Sequence, residues 1–496
     1  MGRAKHSRAA WRAGLVALLA MSGALADVEL RAPRQVVRIA TEGGLPVYWL
    51  SCDAPCTSET AGRRVLVGPD EGALRWTANG GSGAARLATL AYRAELVETE
   101  AAVTAILTAL EPVDGRVLVQ RYVLSKTAQE LRVEWQSLPG AGVRLSTGAG
   151  FIPPQLPGFG ASFSDVEAVR VAADGQERLD AEEGEIIRAS AAAGVWLGVR
   201  SRFWAWLARS EAEVPLLIGA PGWNERAIAW LAPAGALQLT FHAGPIEWQS
   251  LRVVAPELTQ MLFASLWEPL RWLCFGLLAL LGLISRWVAS PGLSIILLSL
   301  AVKLILLPLT RIADRWQQEV NRAQSRIQPR LAAIRREYRG EEAHRRTLAV
   351  YRDEGVHPAF TLKSLAGFAI QVPMFIAAFD MLADNYALSG ERFLWIADLA
   401  APDRFAPLPF TIPFFGGDFN LLPLVMTALT ILSAVMLRDA SLSPGLLRKQ
   451  QRQLYLMAGG FFLLFYTFPA GMVLYWTANN FWHLVKMQML RLWARD

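Results

Sequence analysis

The chain has 496 residues, of which 53% are hydrophobic and 19% charged, with a net charge of +6. That is too apolar for an ordinary soluble protein and too charged for a chain buried in lipid throughout, so a soluble domain joined to a membrane domain is expected. The basic residues gather in a few loops that flank apolar segments, a membrane pattern that needs no DNA partner. Three cysteines are too few for a disulfide scaffold.

Arg3, Lys5, Arg8 and Arg12 precede an apolar run over residues 13–26, which closes Ala24-Leu25-Ala26 before Asp27. A basic flank, a short apolar core and a small-x-small end describe a cleaved secretory signal peptide. The other reading is an uncleaved anchor helix that starts near Trp11. Both readings export the chain from Asp27 onward.

Residues 27–255 contain no run long enough to span. Alternating segments occur at residues 117–124, 131–135 and 237–241, separated by Gly, Pro, Asn and Asp turns. Period-2 alternation of this kind predicts a β-sandwich domain, in the part of the chain that the amino-terminal segment would export. Cys52 and Cys56 lie within it. In an oxidising compartment they would either close a small disulfide loop or remain two free thiols. No His or second Cys pair stands near them, so a metal site is not expected. Trp196, Trp204, Trp206, Trp223 and Trp230 suit either a carbohydrate platform or a core, and core is the commoner fate. His242 has no nucleophile motif around it.

Residues 258–490 read as membrane domain. The run over 267–288 has Arg271 and Arg286 near its ends and either spans or lies in the interface. Residues 290–310 are apolar enough to cross, yet carry Lys303 in their interior. About twenty residues rising about 1.5 Å each span the roughly 30 Å hydrocarbon layer. A lysine at that depth costs about 2.5–3.5 kcal/mol and persists only against protein or water. Residues 311–363 are rich in arginine and are assigned to the cytoplasm. One span then joins the exported domain to that loop, so parity makes the segment 258–289 an interfacial helix. Further spans are expected at about 365–383, 421–437, 454–468 and 472–490, five in all, with a cytoplasmic carboxyl end.

Within the basic loop, Ile327, Leu331, Ile334 and Tyr338 fall at helical spacing, and Leu348 with Tyr351 resumes it after Gly340. This predicts a helical hairpin with an apolar seam and a basic outer face. It suits either a solvated topology marker or a landing surface for a ribosome or an emerging chain. Lys303 lies about 12 Å from the cytoplasmic end of its helix and Gln371 about 9 Å from that of the next span. Thr477, Asn479 and Asn480 sit mid-span on the last. Polar groups converging from three helices suggest a hydrated cavity, although interhelical hydrogen bonding would also account for the amides. Asp380 lies nearer the outer end by about 10 Å, which argues against a direct pair with Lys303.

Taken together, these segments resemble the YidC family of membrane protein insertases. The resemblance is carried by Pro308-Leu309-Thr310, Gln328-Pro329, Gln371-Val372-Pro373-Met374-Phe375, Leu394-Trp395-Ile396-Ala397-Asp398-Leu399, Phe468-Pro469-Ala470-Gly471-Met472 and Asn480, in that order. His242-Ala243-Gly244-Pro245 also looks like the end of that family's periplasmic domain. The resemblance implies insertion of helices into the bacterial inner membrane, alone or beside the Sec translocon, with nascent membrane proteins and the lipid bilayer as partners. It places the groove cation, usually Arg, on Lys303. It places the hydrophobic slide on the second and fourth spans, at Pro373, Phe375, Phe465 and Phe468.

Four features depart from the family pattern: lysine for arginine, His357-Pro358 for Asn-Pro, a cleavable rather than anchoring amino terminus, and a short carboxyl tail. Lysine loses the bidentate fork and leaves a titratable group. The rival class is a transporter or channel using Lys303 as an ion site, but no inverted repeat or paired broken helices are visible. No His-Glu-x-x-His or P-loop points to an enzyme, and no cofactor or metal is called for.

Overall fold

The structure, a computed structural model, describes residues 27–58, 62–68, 71–78, 83–179, 181–222, 224–353, 365–436 and 444–493. The signal or anchor segment, Trp223, His357-Pro358 and Arg438 lie outside the described residues. The chain divides into two units, residues up to Pro154 with Ser164–Leu262, and Gln155–Phe163 with the chain from Phe263 onward.

The first unit is antiparallel β-sheet. Nine strands form its largest sheet, in spatial order Gly175–Arg178, Glu167–Ala172, Trp196–Arg200, Trp204–Arg209, Ala236–Pro245, Glu130–Gln136, Val119–Ser125, Ala102–Ala109 and Tyr92–Glu98. A five-stranded and a four-stranded sheet complete it. The alternation that predicts strands also sets the burial. In Glu130–Gln136 the residues Leu131, Val133 and Trp135 are buried while Arg132 and Glu134 are exposed. The strand expected from residue 117 begins at Val119, and Val117 is exposed.

The three sheets share one aromatic core. Phe241 of the nine-stranded sheet lies 5.8 Å from Trp49 of the four-stranded sheet and 5.9 Å from Trp230 of the five-stranded sheet. Trp206 and Trp135 complete the cluster in edge-to-face contacts. Trp196, Trp204, Trp206 and Trp230 are all buried, so they are core and not a carbohydrate platform. Helix α1 (Gly83–Ala88) lies on this unit, and α2 (Trp248–Val254) with a 3-10 turn (Pro256–Met261) closes it. Glu257 in that turn accepts from Trp196 Nε1 at 3.2 Å and pairs with Arg209 at 3.5 Å. This anchoring is why the unit runs to Leu262 and beyond the expected residue 255.

Cys52 and Cys56 are joined as a disulfide, with Cα atoms 5.6 Å apart. Beside them a buried polar network crosses the strands. Gln129 donates to the Cys52 carbonyl at 2.7 Å, and Gln35 and Ser51 each donate to the Ala243 carbonyl at 2.8 Å. His242 Nδ1 donates to the Gln129 carbonyl at 2.9 Å. His242 is fully buried, and burial pushes its imidazole down to about 4.

The second unit is helical: α3 (Glu268–Ser285), α4 (Pro291–Glu337), α5 (Gly340–Asp353), α6 (Ala366–Ala383), α7 (Leu421–Met436), α8 (Pro444–Phe465) and α9 (Ala470–Trp493). The first expected span and the first arm of the hairpin differ in continuity from the sequence reading. Residues 290–310 and that arm are one helix of 47 residues. Ser290 caps it, Pro291 opens it, and Gly340 at φ +64° turns the chain into α5. Ile327 and Leu331 are buried along the hairpin seam, whereas Leu348 is exposed. α8 begins ahead of the expected residue 454, since its first turns carry Arg448, Lys449 and Arg452. By length and composition α3 and α4 are both apolar enough to cross a membrane.

The connection from α6 to α7 holds a hairpin, Ala406–Ile412 with Gly416–Phe419. Buried Asp403 accepts from Leu422 N at 2.6 Å and from Trp395 Nε1 at 3.3 Å, fixing the start of α7. Desolvation raises the Asp403 pKa above the usual carboxylate value. Asn420 donates to the Tyr466 carbonyl at 2.6 Å and ties that start to the end of α8.

The buried histidine and the disulfide each have a measurable consequence. A histidine whose folded pKa lies below its unfolded value stabilises the fold above about pH 6.5, and that contribution fades as pH falls toward 4. Lowering pH from 7 to 5 should therefore cost about 2 kcal/mol through His242. Melting followed by tryptophan fluorescence should show a smaller pH effect in His242→Gln than in the parent. Separately, denatured unreduced protein should label at Cys274 alone, and at Cys52 and Cys56 only after reduction; labelling of all three without reductant would contradict the disulfide.

Candidate functional site

Lys303 sits on α4 and is half-buried. Five residues on, Pro308 cannot donate to the carbonyl of Leu304, so the helix carries a missing bond beside the lysine. α9 lies along α4, and Trp482 Nε1 donates to the Ile296 carbonyl at 3.3 Å. This packing brings Lys486 and His483 of α9 within electrostatic reach of Lys303. Lys486 Nζ in turn donates to Asp314 Oδ2 on α4 at 3.1 Å. Among the described residues Lys303 makes no ion pair of its own; its charged neighbour is another lysine. His483 is open to the surface.

The polar residues of α9 differ in their partners. Asn479 shares a face with Trp476, His483 and Lys486 and is half-buried. Thr477 turns elsewhere, and Asn480, one turn after Trp476, lies at the border of that face. Thr477 is buried and donates to its own helix, at the Val473 carbonyl, 2.7 Å. Asn480 Nδ2 donates to Thr430 Oγ1 of α7 at 2.8 Å. The expected group of five is thus divided: Lys303 and Asn479 lie toward the cationic stripe, Thr477 bonds within its own helix, and Asn480 ties α9 to α7. Gln371 is exposed on α6, one turn before Phe375 and on the same face. His483 and Lys486 do not stand out in the sequence by type, although their spacing from Asn479 is readable there. Asp380 lies with Arg271 and Asp384 around Cys274, at the seam of α3 and α6.

The aromatic residues expected along a slide come together. Phe375 lies 4.8 Å from Trp476 and 6.4 Å from Phe465, which lies 5.4 Å from Phe468. Phe379 and Phe461 join them, at 5.1 and 5.5 Å from Phe465. The cluster therefore welds α6, α8 and α9. Phe465 is buried at its centre, whereas Phe375, Pro373 and Phe468 remain half-exposed. The i,i+4 pairs Phe375–Phe379 and Phe461–Phe465 are legible as pairs in the chain, but their meeting is not.

These features define a class: an α-helical membrane protein with a β-sheet domain ahead of its apolar helices and a basic residue set into one of them. Residues 283–494 match the family described as 60Kd inner membrane protein. Over that region, less than half of its length, the chain is similar to this family. Among curated relatives, the "Membrane protein insertase YidC" of Syntrophobacter fumaroxidans is 31% identical over 254 residues, covering 49% of this chain and 42% of that protein. That of Chloroherpeton thalassium is 25% identical over 305 residues, covering 58% of this chain and 50% of that one. The match thus spans about half the length of these relatives or less. A solved structure titled "Active YidC insertase crystal structure with the first transmembrane domain resolved" is similar over 97% of this chain and 95% of that one, at 15% identity and TM-score 0.35.

The bond between α9 and α7 gives a measurable expectation. A double-mutant cycle of Asn480→Ala and Thr430→Val, read by unfolding in detergent, should show coupling of about 0.6 kcal/mol. Additive effects would mean that Asn480 is free for another role.

Proposed function

We propose that this protein inserts the apolar helices of nascent membrane proteins into the bacterial inner membrane. The observation that carries the reading is the setting of Lys303. An ammonium inside an apolar helix is costly, and a second lysine beside it adds repulsion. Water or an arriving anion would relieve both, and the acidic residues of a client's short polar tail would supply the anion. The aromatic cluster of α6, α8 and α9 offers an apolar surface beside which the client's hydrophobic segment passes to lipid. The names of the curated relatives point the same way.

In this reading the β domain is periplasmic, the helical unit crosses the membrane five times and the carboxyl end is cytoplasmic. α3 lies in the interface, a placement that suits Trp267, Trp272 and Trp287, exposed by 68%, 70% and 86%. The Sec translocon and the ribosome are the partners expected on the two ends of the route, the ribosome against the basic hairpin of α4 and α5.

The test is at Lys303. Lys303→Ala and Lys303→Glu should reduce insertion of acidic-tailed clients to background at matched protein levels, and Lys303→Arg should retain it, since the charge remains. A cysteine in its place should label from the cytoplasmic side. Normal insertion by Lys303→Ala, with no labelling, would end this account of the residue.

A further inference from the structure

The segment Gln155–Phe163 falls in sequence between two strands of the β unit, yet it belongs to the helical unit. Its composition explains how closely it lies there. Gly158 takes φ +56°, and a Cβ at that position would stand 2.6 Å from the Phe414 carbonyl oxygen. A Cβ on Gly160 would stand 2.3 Å from the Thr467 carbonyl oxygen, so glycine permits the approach of two backbones. The Gly160 N–H donates to Thr467 Oγ1 at 3.1 Å, and Thr467 is fully buried. Phe159 meets Phe414 edge to face at 4.9 Å, and Phe163 meets Phe468 the same way at 5.4 Å.

Phe468 is the last ring before Pro469 and the start of α9. On its other side it touches Phe465, the buried centre of the aromatic cluster. A continuous series of ring contacts therefore runs from Phe163 through Phe468 and Phe465 to Phe375, Phe379 and Trp476. Phe163 and Phe465 thus both meet the Phe468 ring.

We propose that Gln155–Phe163 is a clasp on the α8–α9 turn and that Phe163 is a positioning residue, setting the outer end of the apolar surface along which a client helix leaves for lipid. The inference rests on the insertase reading. It assigns to a segment of the β-domain sequence a part in the second stage of insertion, release along the aromatic face. The first stage, capture of the client's tail near Lys303, does not depend on it.

Two photo-crosslinking probes in the full-length protein separate the stages, one at Leu304 beside Lys303 and one at Ile376 beside Phe375, both exposed. The client is a stalled nascent membrane protein with an acidic tail. The parent should crosslink from both. Phe163→Ala should keep the Leu304 crosslink and lose about fivefold at Ile376, the scale of one edge-to-face ring pair. Phe163→Leu should restore most of it. Phe159→Ala removes a ring that is 48% exposed and should lower the Ile376 crosslink in the same direction. It decides the matter if Phe163→Ala does not accumulate. Undiminished crosslinking at Ile376, or an equal loss at both probes, overturns the clasp while leaving the insertase reading in place. No crosslink from either probe in the parent overturns the insertase reading and the clasp with it.

Discussion

The structure turns on one unfavourable placement, an ammonium group in the apolar half of α4. Hydrocarbon penalises it by about 2.5–3.5 kcal/mol, and pairing with a carboxylate is the usual relief. Here α9 instead brings Lys486 and His483 toward it, and the carboxylate of Asp314, further along α4, is taken by Lys486. Stability comes from elsewhere: Asn480 bonded to Thr430, Thr477 bonded within its helix, Trp482 bonded to the α4 backbone.

The aromatic cluster stands beside that stripe and shares α9 with it, since Trp476 contributes to one and Asn479, His483 and Lys486 to the other. A client segment has both chemistries in sequence, a polar tail and an apolar helix. The two surfaces lie on adjoining turns of the same helix face, which is the arrangement that the proposed substrate asks for. Phe465 anchors the apolar side from within, so the half-exposed rings around it have a fixed backing. At the outer end the same rings continue to Phe468 and Phe163.

The β unit is organised by different physics. Phe241 and the tryptophans around it join three sheets, and a buried hydrogen-bond network of Gln35, Ser51, Gln129 and His242 runs beside the disulfide. A neutral histidine suits that interior because charging it would require desolvating an imidazolium. The disulfide closes the loop next to this network and needs only the oxidising compartment that an exported domain meets.

Much of this is readable in the chain itself. Alternation at residues 131–135 and 237–241 specifies strands, apolar length specifies helices, and the ordered motifs from Pro308 to Asn480 carry the family, because period, length and local order are properties of consecutive residues. Lys303 stands out for the same reason: its cost is set by its neighbours in sequence. What the chain does not display is which residues meet. The separation of Asn480 from Asn479 depends on where α7 lies, the company of His483 and Lys486 on how α9 crosses α4, and the continuity of α4 through residue 310 on packing beyond the span. The clearest case is Gln155–Phe163, which reads as a loop between strands and folds with helices some 300 residues away, as the separation of 307 between Gly160 and Thr467 records. Local pattern fixes the kind of element each segment becomes; the contacts between distant segments arise only when side-chain shapes and glycine-sized gaps are matched in three dimensions.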